Sequence, residues 1–292
     1  MAGTDPGTAR IRPLGVADLD AAQCLSEEAG WNQLPWDWRI FLEMGDLFGV
    51  DGPGGALLAT GATLAQGRDF GWISMIIVTS AARHRGIATQ LVHHGIERLT
   101  ARDLVPGLDA TIAGRAVYAR LGFQDTWPIA RLVRPDASPQ ASASPRAAPE
   151  LRLADAGDLV ALADLDSRAF GTDRRALLTR LLERAPELAV VGGGGAGDLT
   201  GFLLARPGRT ATQLGPVVAP DPSIALAMIE HALLRVTGPC LIDLVDLEPG
   251  LRVALEARGF VAQRRFTRMF YRRGEAFGDL QLAIAIAGPE LG

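Results

Sequence analysis

The sequence predicts an α/β fold, a mixed sheet flanked by helices and built twice in tandem, and three observations predict it. Short apolar runs such as Trp72-Ile73-Ser74-Met75-Ile76-Ile77-Val78 have strand length, and they alternate with segments whose apolar residues recur at helical spacing, as Ile87, Leu91, Val92, Ile96 and Leu99 do. A run of Pro, Ala and Ser at 135–149 holds too little apolar surface to enter a core and reads as a semi-extended linker. The same grammar stands on both sides of it. Ile11-Arg12-Pro13-Leu14 and a helix from Val16 to Ala29 match Leu151-Arg152-Leu153 and a helix from Asp158 to Phe170. Arg120-Leu121-Gly122-Phe123 matches Ala257-Arg258-Gly259-Phe260 at nearly the same spacing from the opening strand. The chain therefore divides into a domain at 10–134, a linker at 135–149 and a second domain at 150–292.

In the first domain the pattern predicts a strand at 11–14, helices at 16–29 and 35–43, and strands at 47–50, 56–64 and 69–78. A helix at 86–101, a strand at 108–111, a helix at 113–120 and a strand at 129–134 complete it. The strands run antiparallel first and then parallel through the helical crossover, which places helices on both faces. The second domain repeats this shape, with a helix at 223–237 and strands at 199–205, 266–272 and 280–286. A terminal strand such as 280–286 must find a pairing partner.

Composition narrows the chemistry. The chain has 292 residues, 48% hydrophobic and 21% charged, enough for two cores without disulfides or metals. No apolar run is long enough to span a bilayer, and Met1 to Arg10 has no apolar signal core, so a soluble cytoplasmic protein with no membrane partner is expected. Net charge is -4 and every one of the 29 basic residues is arginine, which excludes a lysine-dependent phosphate loop and disfavours a nucleic-acid groove. Cys24 and Cys240 read as buried free thiols, and His84, His93, His94 and His231 lack metal-ligand spacing, so no metal is expected.

The most informative junction follows the strand ending at Val78. Arg83-His84-Arg85-Gly86-Ile87-Ala88-Thr89 is a tight basic turn that opens a helix. A helix start leaves amides unpartnered and carries partial positive charge, so a turn that gathers those amides suits a pyrophosphate. Gly86 and Ala88 keep the approach free of side chains, and Arg83 and Arg85 add charge.

The pattern Arg83-x-x-Gly86-x-Ala88 after an apolar strand resembles the acyl-CoA signature of the GNAT acyltransferase superfamily. Ala116-Val117-Tyr118-Ala119-Arg120-Leu121-Gly122-Phe123 resembles its second hallmark, a short helix with a tyrosine followed by Gly-Phe. The resemblance covers nearly the whole chain from Arg10 and is to bacterial tandem GNAT proteins with a degenerate second half. It implies that the fourth and fifth strands, here 69–78 and 108–111, splay apart. The pantetheine arm of acetyl-CoA then lies between them, bonded to Ile76, Ile77 and Val78. It further implies Tyr118 as general acid and an acetyl-CoA-dependent N-acetyltransferase acting by direct attack of an amine, on a small molecule or peptide. A CoA-binding sensor or interaction protein without turnover is the alternative. A monomer or homodimer is expected.

The acceptor side is less marked. Ser74 stands where many relatives use a carboxylate, and Glu27, Glu28, Asp46 and Asp69 are the remaining candidate bases. Trp31, Trp36 and Trp38 with Asn32 could line an acceptor pocket, or simply pack a helix. In the second domain Gly215-Pro216-Val217-Val218-Ala219-Pro220-Asp221 replaces the basic turn and Leu255 stands at the place of Tyr118, so no CoA binding is expected there. Gly192 to Gly197 satisfies a dinucleotide fingerprint literally, but a strand follows it instead of a helix, and it reads as a hairpin loop.

Overall fold

A computed structural model describes residues 10–135, 150–193, 198–247 and 249–292. All but the first residue of the expected linker, and Gly194 to Gly197 of the glycine run, lie outside them. The chain forms two compact units, Met1–Leu108 and Asp109–Gly292.

The first unit contains β1 (Ile11–Pro13), α1 (Leu19–Glu28), α2 (Pro35–Met44), β2 (Asp46–Asp51), β3 (Leu57–Gln66), β4 (Phe70–Val78), α3 (Ile87–Thr100) and the start of β5 (Val105–Thr111). Its strands follow in the order β1-β2-β3-β4-β5, antiparallel up to β4 and then parallel through α3. Helix starts are written locally: Pro35 opens α2, and the Asp37 carboxylate accepts the Leu34 amide at 2.7 Å. α3 buries Leu91, Val92 and Leu99, while Gly95 lets it lie close to Ile73, whose Cδ1 would stand 3.0 Å from a Cβ there.

The second unit contains α4 (Ile112–Arg120), β6 (Phe123–Arg134), β7 (Leu151–Leu153), α5 (Leu159–Phe170), α6 (Arg175–Arg184), β8 (Val190–Gly192), β9 (Gly201–Arg206) and β10 (Thr212–Val218). It continues with α7 (Pro222–Leu233), β11 (Cys240–Val245), α8 (Pro249–Glu256), β12 (Val261–Tyr271) and β13 (Ala283–Ala285). The strand order is β12-β6-β11-β13-β10-β9-β8-β7. Leu203, Leu214, Val217, Met228, Ile229, Ile242 and Leu255 form its core with α7 and α8. β8 and β9 pair antiparallel on either side of the glycine run, as a hairpin requires.

The internal repeat has a structural counterpart. Arg12 pairs with Asp18 at 2.8 Å, and that carboxylate also accepts the Gly15 amide. Arg152 pairs with Asp158 at 2.6 Å, and that carboxylate accepts the Asp155 amide. Packing units and sequence repeats nevertheless divide differently. β6, the last strand of the first repeat, lies in the second unit, antiparallel to β11 on one side and to β12 on the other.

Several expectations change in detail: β12 begins at Val261, five residues before the expected 266, and α7 ends at Leu233, short of the expected 237. β5 begins at Val105 and β6 at Phe123, both earlier than the pattern marks. The expected strand at 280–286 shortens to Ala283–Ala285, because the Asp279 carboxylate takes the Gln281 amide and its carbonyl takes the Leu282 amide, making a turn. Cys24 is exposed, on the outward face of α1, and only Cys240 is buried.

Candidate functional site

β4 pairs with β5 at Phe70↔Val105, Gly71↔Pro106 and Trp72↔Gly107, and the pairing ends there. Beyond it, Ile73–Val78 keep a partner strand only on the β3 side among the described residues. A bulge stands at the point of divergence. Ser74 faces Ala62 and Ile77 faces Thr60, so Met75 and Ile76 together oppose Gly61. Met75 has φ 54, a left-handed conformation that costs a residue with a side chain on the order of 1–3 kcal/mol. Burial of its side chain and a 2.9 Å hydrogen bond from the Thr60 hydroxyl to its carbonyl hold it there. β4 therefore ends as a bent strand with an unpaired edge, carrying Ile76, Ile77 and Val78.

The chain then makes the basic turn. His84 has φ 62 and Gly86 φ 77, and α3 starts at Ile87 with no side-chain cap. The amides of Ile87, Ala88 and Thr89 in its first turn are left for an outside acceptor. A Cβ on Gly86 would meet nothing within 4 Å, so glycine serves the backbone angle here and not the space. Arg83, His84 and Arg85 are exposed. The Arg83 Nε donates to the Val78 carbonyl at 3.2 Å and the Arg85 guanidinium to the Ala81 carbonyl at 3.1 Å, which folds both cations back over the turn.

Glu28 braces this loop from α1. Its carboxylate accepts the Ser80 amide at 2.7 Å and the Thr79 hydroxyl at 2.9 Å, and those donors, the Ser80 amide first, hold its pKa below the usual carboxylate range. Of the other candidate bases, Asp46 accepts from Arg98 at 2.7 Å and Glu27 from Gln23 at 2.9 Å.

On the acceptor side, Trp31 and Asn32 lie half-buried between α1 and α2, and Trp36 half-buried in the first turn of α2. Gln23 ties that connection down by donating to the Gln33 carbonyl at 3.1 Å. Ser74 is 8% exposed and its hydroxyl has no partner; the same holds for the amide oxygens of Gln23 and Gln33 and the indole nitrogen of Trp38. Gln23 and Gln33 carried no motif that would single them out in the sequence.

Tyr118 belongs to the second unit. Thr111 caps α4 by accepting the Gly114 amide at 3.2 Å, and the tyrosine ring lies against Gly114, where a Cβ would come within 2.9 Å of it. Phe123 meets the ring edge-on at 6.2 Å and is itself met by Tyr271 at 5.6 Å. Burial raises the phenol pKa, so the hydroxyl is a protonated donor at neutral pH.

The corresponding parts of the second repeat are differently furnished. Asp221 caps α7 with its own carboxylate, taking the Ser223 amide at 2.6 Å, and this places a negative charge where an anion would have to sit. Leu255 is fully buried. No group of three or more His, Cys, Asp or Glu residues suited to a metal occurs among the described residues, and no helix there is long and apolar enough to cross a membrane.

Comparison with known proteins finds a family match in each half of the chain. The acetyltransferase (GNAT) family matches residues 20–123, and an acetyltransferase (GNAT) domain family matches residues 162–279. The uncharacterized N-acetyltransferase YitH of Bacillus subtilis (strain 168) is 25% identical over 250 residues, covering 85% of this chain and 86% of YitH. A Pyrococcus horikoshii acetyltransferase candidate has a similar fold, with TM-score 0.78 at 18% identity over 98% of this chain and 96% of that one. A tandem GNAT protein from the clavulanic acid biosynthesis pathway has TM-score 0.64 at 17% identity, over 90% and 98%.

Proposed function

Since the chain belongs to the GNAT superfamily and carries two GNAT domains in tandem, we propose that it transfers an acetyl group from acetyl-CoA to a primary amine of a small molecule or peptide, with the chemistry confined to its first domain. GNAT domains in general use acetyl-CoA. The observation that carries the proposal is the unpaired edge of β4 running directly into an uncapped helix start flanked by two arginines. Main-chain groups of Ile76, Ile77 and Val78 take the amides of the pantetheine arm as an added strand would. The amides of Ile87, Ala88 and Thr89, with Arg83, His84 and Arg85 around Gly86, take the pyrophosphate.

Attack of the amine on the thioester builds negative charge on the carbonyl oxygen and then on sulfur, so a donor is needed at each. Backbone amides near Ile76 supply the first. Tyr118 supplies the second, and its raised pKa keeps the proton available until the thiolate leaves. No carboxylate stands at Ser74, so the amine loses its proton through water. Ser74, Asn32, Trp31 and Trp36 contact the acceptor. Acetyl-CoA consumption by thiol release across a panel of primary amines, beside calorimetry with acetyl-CoA, tests the reading. Heat of binding with no thiol release from any amine favours a CoA-binding sensor, for which the replacement of a carboxylate by Ser74 is the supporting feature.

A further inference from the structure

The two domains treat the same gap in opposite ways. In the first, β4 and β5 pair at three positions and part. In the second, β10 and β11 pair at Thr212↔Cys240, Gln213↔Leu241 and Leu214↔Ile242 and part likewise, but β13 fills the gap. Val217 and Val218 of β10 pair with Ala285 and Ala283, and Leu244 of β11 pairs with Ala285 from the other side. The Ile286 amide donates to the Asp243 carbonyl at 3.0 Å and the Ala219 amide to the Leu282 carbonyl at 3.1 Å. Main-chain groups that the first domain leaves open are thus engaged by the chain itself.

We infer that segment Leu282–Gly292 is the resident occupant of the second domain's thioester cleft, an intramolecular stand-in for the pantetheine arm, so that one chain takes one acyl-CoA. The segment is built in and not merely laid across the opening. A Cβ on Gly215 would collide with the Ile286 carbonyl oxygen, so glycine alone permits the close approach. Arg206 pairs with Glu290 and donates to the Ala287 carbonyl, and all three residues are buried. Arg174, held by buried Asp166, donates to the Gly292 oxygen at 2.7 Å. A tethered occupant competes at an effective concentration on the order of millimolar or above. Any free thioester would also meet the Asp221 carboxylate at the start of α7.

The comparison rests on the reading of the first domain as the acyl-CoA domain, but the occupancy has its own readout. Amide hydrogen exchange on the full chain, with and without saturating acetyl-CoA, should find the Ala219 and Ile286 amides slow in both conditions, while calorimetry gives one site. Fast exchange at these amides without acetyl-CoA, protection gained only on adding it, or two equivalents bound would overturn the inference. Slow exchange with no heat of binding would leave the occupant in place and remove the proposed activity instead. Gly215→Ala should speed exchange at both amides by about tenfold or more, because the methyl displaces Ile286. Unchanged exchange in a folded Gly215→Ala protein counts against the wedge; should that variant fail to fold, the two wild-type amides decide.

Discussion

Replacing Arg268 by leucine should damage the protein more than replacing Arg268 and Asp109 together. The pair is closed from water: the side chains are 2% and 0% exposed, the two hydrogen bonds are 2.9 and 2.8 Å, and the guanidinium lies 4.9 Å from the Trp127 ring centroid. Burial, foremost, raises the Asp109 pKa, the charges of Asp243 and Glu290 add to the rise, and Arg268 is the group that opposes it. Without the guanidinium a bare carboxylate is left in the core, at a cost of about 3–5 kcal/mol, whereas removing both charges in favour of packed apolar groups is often neutral. With a urea m-value of about 2 kcal/mol/M, the single variant should lose about 2 M in its unfolding midpoint. The sign with pH follows from the raised pKa. A carboxyl whose folded pKa lies above its unfolded value contributes stability below the unfolded pKa and loses it as pH rises through the folded one. The deficit of Arg268→Leu should therefore be largest near neutrality and narrow as pH falls toward the carboxylate range. A midpoint within about 0.3 M of wild type, or a double variant as weak as the single, would refute this account of the pair.

Tyr118→Phe should bind acetyl-CoA as wild type does while losing about 10²-fold or more in kcat; full activity would assign the acid to another group or to solvent. Glu28→Gln should raise KM for acetyl-CoA and spare kcat, because Glu28 braces Thr79 and Ser80 and does not act on the acceptor; a fall in kcat alone would contradict that division. Asp18 and Asp158 have pKa values depressed chiefly by Arg12 and Arg152. They give stability that is present above the unfolded carboxylate pKa and lost as pH falls through the folded one. Arg152→Gln should accordingly flatten the acid limb of a stability-pH profile, and a curve parallel to wild type would count against the pairing.

Local chemistry was legible in the sequence where neighbouring residues decide it. Helical spacing from Ile87 to Leu99 marked α3, Gly86 marked the left-handed turn before it, and the Arg12 and Arg152 strands marked the repeat. Relations between distant residues were not. Nothing in Trp72 to Val78 announces that Met75 turns left-handed, since the bulge arises from how β4 meets Gly61 on β3. Glu28 reads as an ordinary surface acid until folding brings it to Ser80, a relation set by the packing of α1 and carried by no motif. The terminal strand was legible as needing a partner, but β10 and β11 could be identified as its flanks only once their separation was known. Leu280 and Gln281 continue the apolar alternation and still turn, because Asp279 offers both its carboxylate and its carbonyl to the amides that follow.

The destination of β6 carries a lesson for anyone wishing to separate the halves. The obvious place to cut is the Pro, Ala and Ser run, yet β6 precedes it and is hydrogen-bonded between β11 and β12. A fragment beginning after that run would expose two raw strand margins, with Asp243 stripped of Arg131 and left in a dry interior. Such a margin invites pairing with other molecules. Two repeats are written in the sequence on either side of the run, but the folded product crosses their seam, and a working scissor would have to fall upstream of Asp109, where the second unit begins and whose carboxylate holds Arg268.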